Sequence, residues 1–106
     1  MYTKEDIENI HKKVVDLRKA IKDSSEKICK IESECQEIIC KNGGHGSIQS
    51  NDDYQKLQQL TDDLKEKYKE RDNYVESEKE ANKEYHIALC EFCIANIKQN
   101  KEIENT

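Results

Sequence analysis

The feature that most constrains the fold is an unbroken heptad pattern between residues 7 and 38. Apolar residues recur there at alternating steps of three and four, and the single polar residue in the series is Ser24. A stripe this narrow is typical of a coiled-coil seam, in which a helix packs against one or two other helices. The predicted seam residues of this first helix are Ile7, Ile10, Val14, Leu17, Ile21, Ile28, Ile31, Cys35 and Ile38.

Capping residues mark where the helices begin and end. Thr3 is a predicted N-cap, with Asp6 three residues later as its capping-box partner. Gly43 follows the last residues of the heptad pattern, where a left-handed residue commonly ends a helix. Ser50 then offers a second N-cap. The sequence therefore predicts two helices joined by a short loop.

The chain has no Pro, and its three Gly all lie within 43–46, so nothing interrupts the segments on either side. An antiparallel helical hairpin is the simplest arrangement for two helices with so short a connection. We therefore expect an all-α fold in which residues 1–106 form a single helical-hairpin domain. Its predicted parts are helix 1 at about 4–41, a Gly-rich loop at 42–49, helix 2 at about 51–101 and a short C-terminal tail.

The apolar pattern is weaker in the second helix. Leu57, Leu60 and Leu64 continue a heptad seam, after which Tyr68 shifts the stripe by one residue. Residues 65–84 hold few apolar side chains. The β-branched residues of helix 1 are also compatible with a parallel two-stranded coiled coil, so the sequence leaves the topology open between a hairpin and a parallel coil.

Composition limits the functions that the chain can have. Only 34% of the residues are hydrophobic and 39% are charged, which cannot fill a compact globular interior. The net charge of −5 comes from interleaved acids and bases and disfavours direct binding to nucleic acid or to an anionic membrane. No stretch approaches the length of a membrane span, and no signal peptide is visible, so we expect a cytoplasmic protein with reduced thiols.

One segment is apolar on more than one face: residues 85–97, "YHIALCEFCIANI". Two stripes with helical spacing run along it, and helix 1 can cover only one of them. We expect the other to contact a second chain, most simply in a homodimer that forms a helical bundle, although a local kink that builds a small three-helix cap is an alternative. The predicted interface residues are Tyr85, Ile87, Leu89, Cys90, Phe92, Cys93, Ile94 and Ile97.

The same segment contains three side chains of the kind that bind zinc. His86, Cys90 and Cys93 lie within one arc of the predicted helix and could hold Zn²⁺ together with a fourth ligand. The simpler interpretation is that the two Cys act as small hydrophobic residues and that His86 lies on the surface. No catalytic constellation is visible, because the many carboxylates lie on predicted solvent-exposed faces.

These features predict a non-catalytic protein–protein interaction module that self-associates and presents a helical surface to a protein partner. A first alternative is a small acidic inhibitor, of the type that viruses and mobile elements direct against nucleic-acid enzymes or defence systems, which would occlude a working surface. A second alternative is a helical zinc-binding module.

Overall fold

A computed structural model shows that the chain is all-α, as predicted. Helix α1 spans Lys4–Lys41 and helix α2 spans Asn51–Glu104. The structure describes the backbone of residues 2–44, 48 and 50–104, and the side chains as far as residue 98. Half of the predicted loop, residues 45–47 and 49, and the end of the predicted tail lie outside the described residues. Helix α2 continues past its expected end near 101 as one uninterrupted helix.

The two helices pack against each other in two compact units. The terminal unit combines α1 as far as Lys19 with α2 from Val75 onward, and the loop unit runs from Ala20 to Tyr74. In each unit, residues farther along α1 contact residues earlier in α2. His11 contacts Tyr85 and Arg18 contacts Glu78 in the terminal unit. The helices are therefore antiparallel, which is the hairpin topology.

The capping residues occupy their predicted places at the start of α1. The backbone N–H of Thr3 donates to Asp6 Oδ2 at 2.9 Å, and the N–H of Asp6 donates to Thr3 Oγ1 at 3.1 Å. This reciprocal pair is a capping box in which Asp replaces the more common Glu or Gln. The hydrogen bonds from Thr3 lower the pKa of the Asp6 carboxyl, because they favour its ionised form.

A Schellman motif ends α1. The N–H of Gly44 donates to the carbonyl of Ile39 at 3.0 Å, and the N–H of Gly43 donates to the carbonyl of Cys40 at 3.2 Å. Gly43 and Gly44 have φ angles of 91° and 92°, a region that residues with a Cβ rarely adopt. The predicted left-handed cap at Gly43 is thus confirmed.

The end of α1 is joined to the start of α2 by hydrogen bonds within the loop unit. Ser50 is the N-cap of α2, since its Oγ accepts from the N–H of Asp53 at 3.4 Å. The side-chain amide of Asn42 donates both to the carbonyl of Ile38 at 2.8 Å and to Asp53 Oδ2 at 3.1 Å. The Asn42 amide, with the nearby Lys41, lowers the pKa of Asp53.

The heptad pattern of α1 corresponds to the face that α1 buries. Val14 and Ile28 are each only 1% exposed, and Ser24 is 7% exposed at the one polar position of the seam. Every predicted seam residue of α1 is buried or half-buried. Leu57, Leu60 and Leu64 of α2 are buried or half-buried as well. This seam is the core of the hairpin.

The buried face of α2 keeps its seven-residue spacing through the polar middle of the helix. Positions 57, 64, 71, 78, 85 and 92 are all half-buried, and Arg71 and Glu78 occupy two of them. Tyr68 lies half-buried beside this face and does not replace it. The apparent one-residue shift in the sequence therefore arises because charged side chains take seam positions, where their aliphatic stems can pack.

Polar contacts between the helices follow one edge of the α1 seam. Arg18 Nε donates to Glu78 Oε1 at 3.0 Å in the terminal unit. In the loop unit, the hydroxyl of Tyr68 donates to Glu32 Oε2 at 2.9 Å, which raises the pKa of Tyr68. In α1, Arg18 and Glu32 each lie four positions after a first residue of the heptad, Val14 and Ile28, so they flank the apolar stripe. These contacts help to fix the register of the two helices.

Candidate interaction surface

One stripe of the 85–97 segment packs inside the terminal unit. Ala88 is completely buried, and Tyr85, Phe92 and Ala95 are half-buried. The ring of Tyr85 meets the ring of His11 edge to face, with centroids 5.0 Å apart. Ala88 adds little bulk beyond the backbone, so it is fully covered where α1 and α2 meet.

The other stripe remains exposed. Ile87, Ile94 and Ile97 are 48%, 54% and 56% exposed, and Cys90 is exposed between them. These four residues recur at steps of three and four, so they form a continuous line on α2, here named the outer stripe. Surface apolar residues that are scattered singly are ordinary, but a contiguous line of them often marks a contact site.

The predicted interface residues therefore divide between two surfaces. Ile87, Cys90, Ile94 and Ile97 form the outer stripe. Tyr85 and Phe92 belong to the stripe that packs within the terminal unit. Leu89 is half-buried, and Cys93 is exposed at the border of the outer stripe. Sequence reasoning found both stripes but could not say which of them α1 covers.

Charged and polar side chains border the outer stripe on both sides. Glu84, Glu91 and Lys98 follow one edge, while His86 and Cys93 follow the other, and all five are exposed. The ring of His86 also stacks on Tyr85, with centroids 5.5 Å apart and an interplanar angle of 23°. The outer stripe thus has a charged edge on one side and an uncharged edge of His86 and Cys93 on the other.

Other exposed apolar side chains do not form such a line. Val15 is 48% exposed on α1, and Tyr54 and Tyr74 are 55% and 37% exposed at separate places on α2. Among the described side chains, the outer stripe is thus the place where large exposed aliphatic residues follow one another along a helix face. Val15, which is as exposed as Ile87, provides a matched control position.

In the described part of the chain, no arrangement of side chains supports the zinc hypothesis or a catalytic site. No group of three or more His, Cys, Asp or Glu side chains comes together there in a way that could hold a metal ion. His86, Cys90 and Cys93 all lie on the solvent side of α2. A surface depression of about 370 Å³ brings Asp6 near Glu84, but Asp6 is committed to the Thr3 cap and its pKa is lowered. A carboxyl with a lowered pKa is poorly suited to act as a general base near neutral pH.

Comparison with protein-family models, with curated proteins and with solved structures finds no match for this chain. Within the described residues, neither helix has an apolar stretch that could cross a lipid bilayer.

Proposed function

We propose that this protein is a non-catalytic protein–protein interaction module that uses the outer stripe of α2 as its contact surface and works without a cofactor. The observation that carries the proposal is the half exposure of Ile87, Ile94 and Ile97 along one line of the terminal unit. Water contact with this line is unfavourable, and a partner that covers it recovers the hydrophobic free energy. The five thiols remain unpaired within the chain, which suits a reducing, cytoplasm-like compartment.

The size of the surface indicates a weak contact. Full burial of an Ile side chain contributes about 1.5–3 kcal/mol, so covering a half-exposed one contributes roughly 1 kcal/mol. Six such side chains across a symmetric contact contribute roughly 6 kcal/mol, and the two Cys90 side chains with the aliphatic stems of the flanking residues bring the sum to roughly 9–10 kcal/mol. The loss of translational and rotational freedom removes at least about 4 kcal/mol of this, which leaves roughly 5–6 kcal/mol. We therefore expect self-association with a Kd on the order of 100 µM.

The experiment compares three chains by light scattering after size-exclusion chromatography, loaded at several concentrations up to about 500 µM, above the expected Kd. The wild-type protein should show a mass that rises with concentration. Ile94→Asp should remain monomeric, because it places a charge in the middle of the outer stripe. Val15→Asp alters an equally accessible apolar residue on α1 and should behave like wild type.

Helix content must be unchanged in both variants, as measured by circular dichroism. Phe92 is not a suitable test position, because it is half-buried in the terminal unit and a charge there would disturb the hairpin itself. Equal loss of self-association in Ile94→Asp and Val15→Asp, or none in either, would remove the outer stripe from consideration as the contact surface.

A further inference from the structure

We infer that Cys90 and Cys93 form a binding site for one soft metal ion of the Cu(I) class, which two thiolate ligands satisfy. Both thiols are exposed, and they lie three positions apart in the uninterrupted helix α2. Cys90 belongs to the outer stripe, and Cys93 borders it. The ion site does not depend on the proposed contact, whereas its effect on that contact does.

The spacing of the two thiols suits a bridging ion better than a direct disulfide. Residues three apart on a helix have Cβ atoms about 5–6 Å apart. A disulfide requires a Cβ separation of about 3.5–4.5 Å, so Cys90 and Cys93 could form one only by distorting α2. With metal–sulfur bonds of about 2.3 Å, the length of a zinc–thiolate bond, two sulfur atoms on one ion can be as far as about 4.6 Å apart. The regular helix therefore leaves both thiols available as metal ligands.

The residues around the two thiols decide which class of ion the site takes. Ca²⁺ and Mg²⁺ require oxygen ligands, and no carboxylate lies three or four positions from either thiol. Zn²⁺ almost always has four ligands in structural sites. His86 lies one turn before Cys90, but its ring stacks on Tyr85, and within the described residues no third metal-binding side chain joins the pair. The ions that fit are those that soft thiolates select and that two of them can hold, such as Cu(I).

The other three thiols do not form a similar pair. Cys29 and Cys40 are exposed on α1, but about 16–17 Å separates them along the helix axis, at 1.5 Å per residue. Cys35 is half-buried in the α1 seam. Cys29 and Cys40 therefore provide a matched control, because replacing them removes the same number of exposed thiols as replacing Cys90 and Cys93.

Binding exchanges protons for the ion and involves no electron transfer. Two neutral thiols lose two protons and bind one Cu(I), so the resulting complex carries a charge of −1. Cys90 lies between Ile87 and Ile94 on the outer stripe, so this charge opposes a protein contact there, as Ile94→Asp does. If the proposed function holds, the ion and a second chain therefore compete for the stripe.

The experiment measures the transfer of Cu(I) to the full chain from its coloured complex with bicinchoninate, without oxygen and with ascorbate to keep the ion reduced. Three chains are compared: wild type, a variant with Cys90→Ser and Cys93→Ser, and the control variant with Cys29→Ser and Cys40→Ser. The protein is kept at about 5 µM, well below the expected Kd of self-association. Circular dichroism must show the same helix content in all three chains.

We expect wild type and the control variant to bind one ion tightly per chain, with release of two protons. Replacing Cys90 and Cys93 should weaken the binding at least a hundredfold, because no second thiolate then lies one turn away. Equal affinity in that variant, or an equal loss in the control variant, would overturn the site. One ion bound per two chains, or displacement of Cu(I) by an equal concentration of Zn²⁺, would also contradict it.

A second measurement separates the effect on the contact from the proposed function itself. Light scattering of the control variant at about 300 µM, above the expected Kd, is repeated with one equivalent of Cu(I). The mass should fall toward that of one chain when the ion is added. A mass that stays the same or rises would contradict the competition. A mass of one chain without the ion would contradict the proposed self-association and leave the ion site to the binding experiment.

Discussion

Removing the same atoms from Ile28 and from Ile94 should have very different consequences. Ile28 is 1% exposed in the loop unit, whereas Ile94 is 54% exposed on the outer stripe. Ile28→Ala loses buried contacts and leaves a cavity, which costs about 2–5 kcal/mol. The whole free energy of unfolding of a chain this size is about 5–15 kcal/mol, so Ile28→Ala removes a large part of it.

Ile94→Ala has two small, opposing effects in the monomer. Some apolar contact with neighbouring side chains is lost, but Ala has a better helix propensity than Ile by a few tenths of a kcal/mol. The expected change in the free energy of unfolding is therefore within about 0.5 kcal/mol when the protein is dilute. At concentrations near the Kd, Ile94→Ala should become destabilising relative to wild type, because binding between copies stabilises only the folded protein.

The assay is urea unfolding followed by circular dichroism at 222 nm, with each variant measured dilute and concentrated. Ile28→Ala should lower the urea midpoint by roughly 1–2 M at both concentrations. Ile94→Ala should match wild type when dilute and fall below it when concentrated. The reasoning fails if Ile28→Ala shifts the midpoint no more than Ile94→Ala does in dilute protein, because the α1 seam would then not be the core.

Further predictions concern the caps, the close helix contact and the nature of the interface. Gly43→Ala should destabilise the protein by about 1 kcal/mol in urea unfolding, because the φ of 91° strains a residue with a Cβ although open space surrounds it. Stability should fall as the pH drops below about 4, since the lowered pKa of Asp6 means that protonation removes its cap to Thr3. Asp6→Asn should lose less stability over that pH range than wild type does. Ala88→Leu should cost about 1–3 kcal/mol in urea unfolding, because a larger side chain cannot fit at a fully buried contact. Self-association measured by light scattering should change less than twofold between about 50 and 500 mM salt, whereas a surface that mimics nucleic acid would lose its partner steeply.

The hairpin could be predicted from the sequence because local signals and long-range pattern agree. The helix ends at Thr3, Gly43 and Ser50 each depend on residues within a few positions, so the local sequence predicts them directly. The α1 seam could be predicted equally well, since aliphatic residues fill nearly all of its positions. Two helices whose ends are known, one of which has a single apolar face, have few ways to bury that face.

The seam of α2 could be predicted only in part. Arg71 and Glu78 occupy half-buried positions, but they are charged, so a pattern of apolar residues does not reveal that these positions belong to the seam. Glu78 accepts a hydrogen bond from Arg18 of α1, which is far away in the sequence, whereas Arg71 lies over the ring of Tyr68 within α2. Arg18 and Glu32 occupy the same position of the α1 heptad, beside its apolar stripe. This shared position was the sequence signal that could have indicated a polar edge of the seam.

For the candidate surface, the sequence revealed two stripes in 85–97 but not their orientation. Both stripes have helical spacing, so periodicity alone does not show which of them packs against α1. Packing decides between them, since Ala88 lets the two helices approach where a row of Ile would hold them apart. The alternation of aromatic and small residues in the stripe of Tyr85, Ala88, Phe92 and Ala95 was thus informative.

Sedimentation equilibrium of the wild-type protein across a wide concentration range tests most directly whether the outer stripe is a protein contact surface. From about 5 to 500 µM, a range that brackets the expected Kd, we expect the average mass to rise from the 12.4 kDa of one chain toward twice that value. The rise should be absent in Ile94→Asp. A wild-type mass that remains at 12.4 kDa throughout would contradict self-association through this surface.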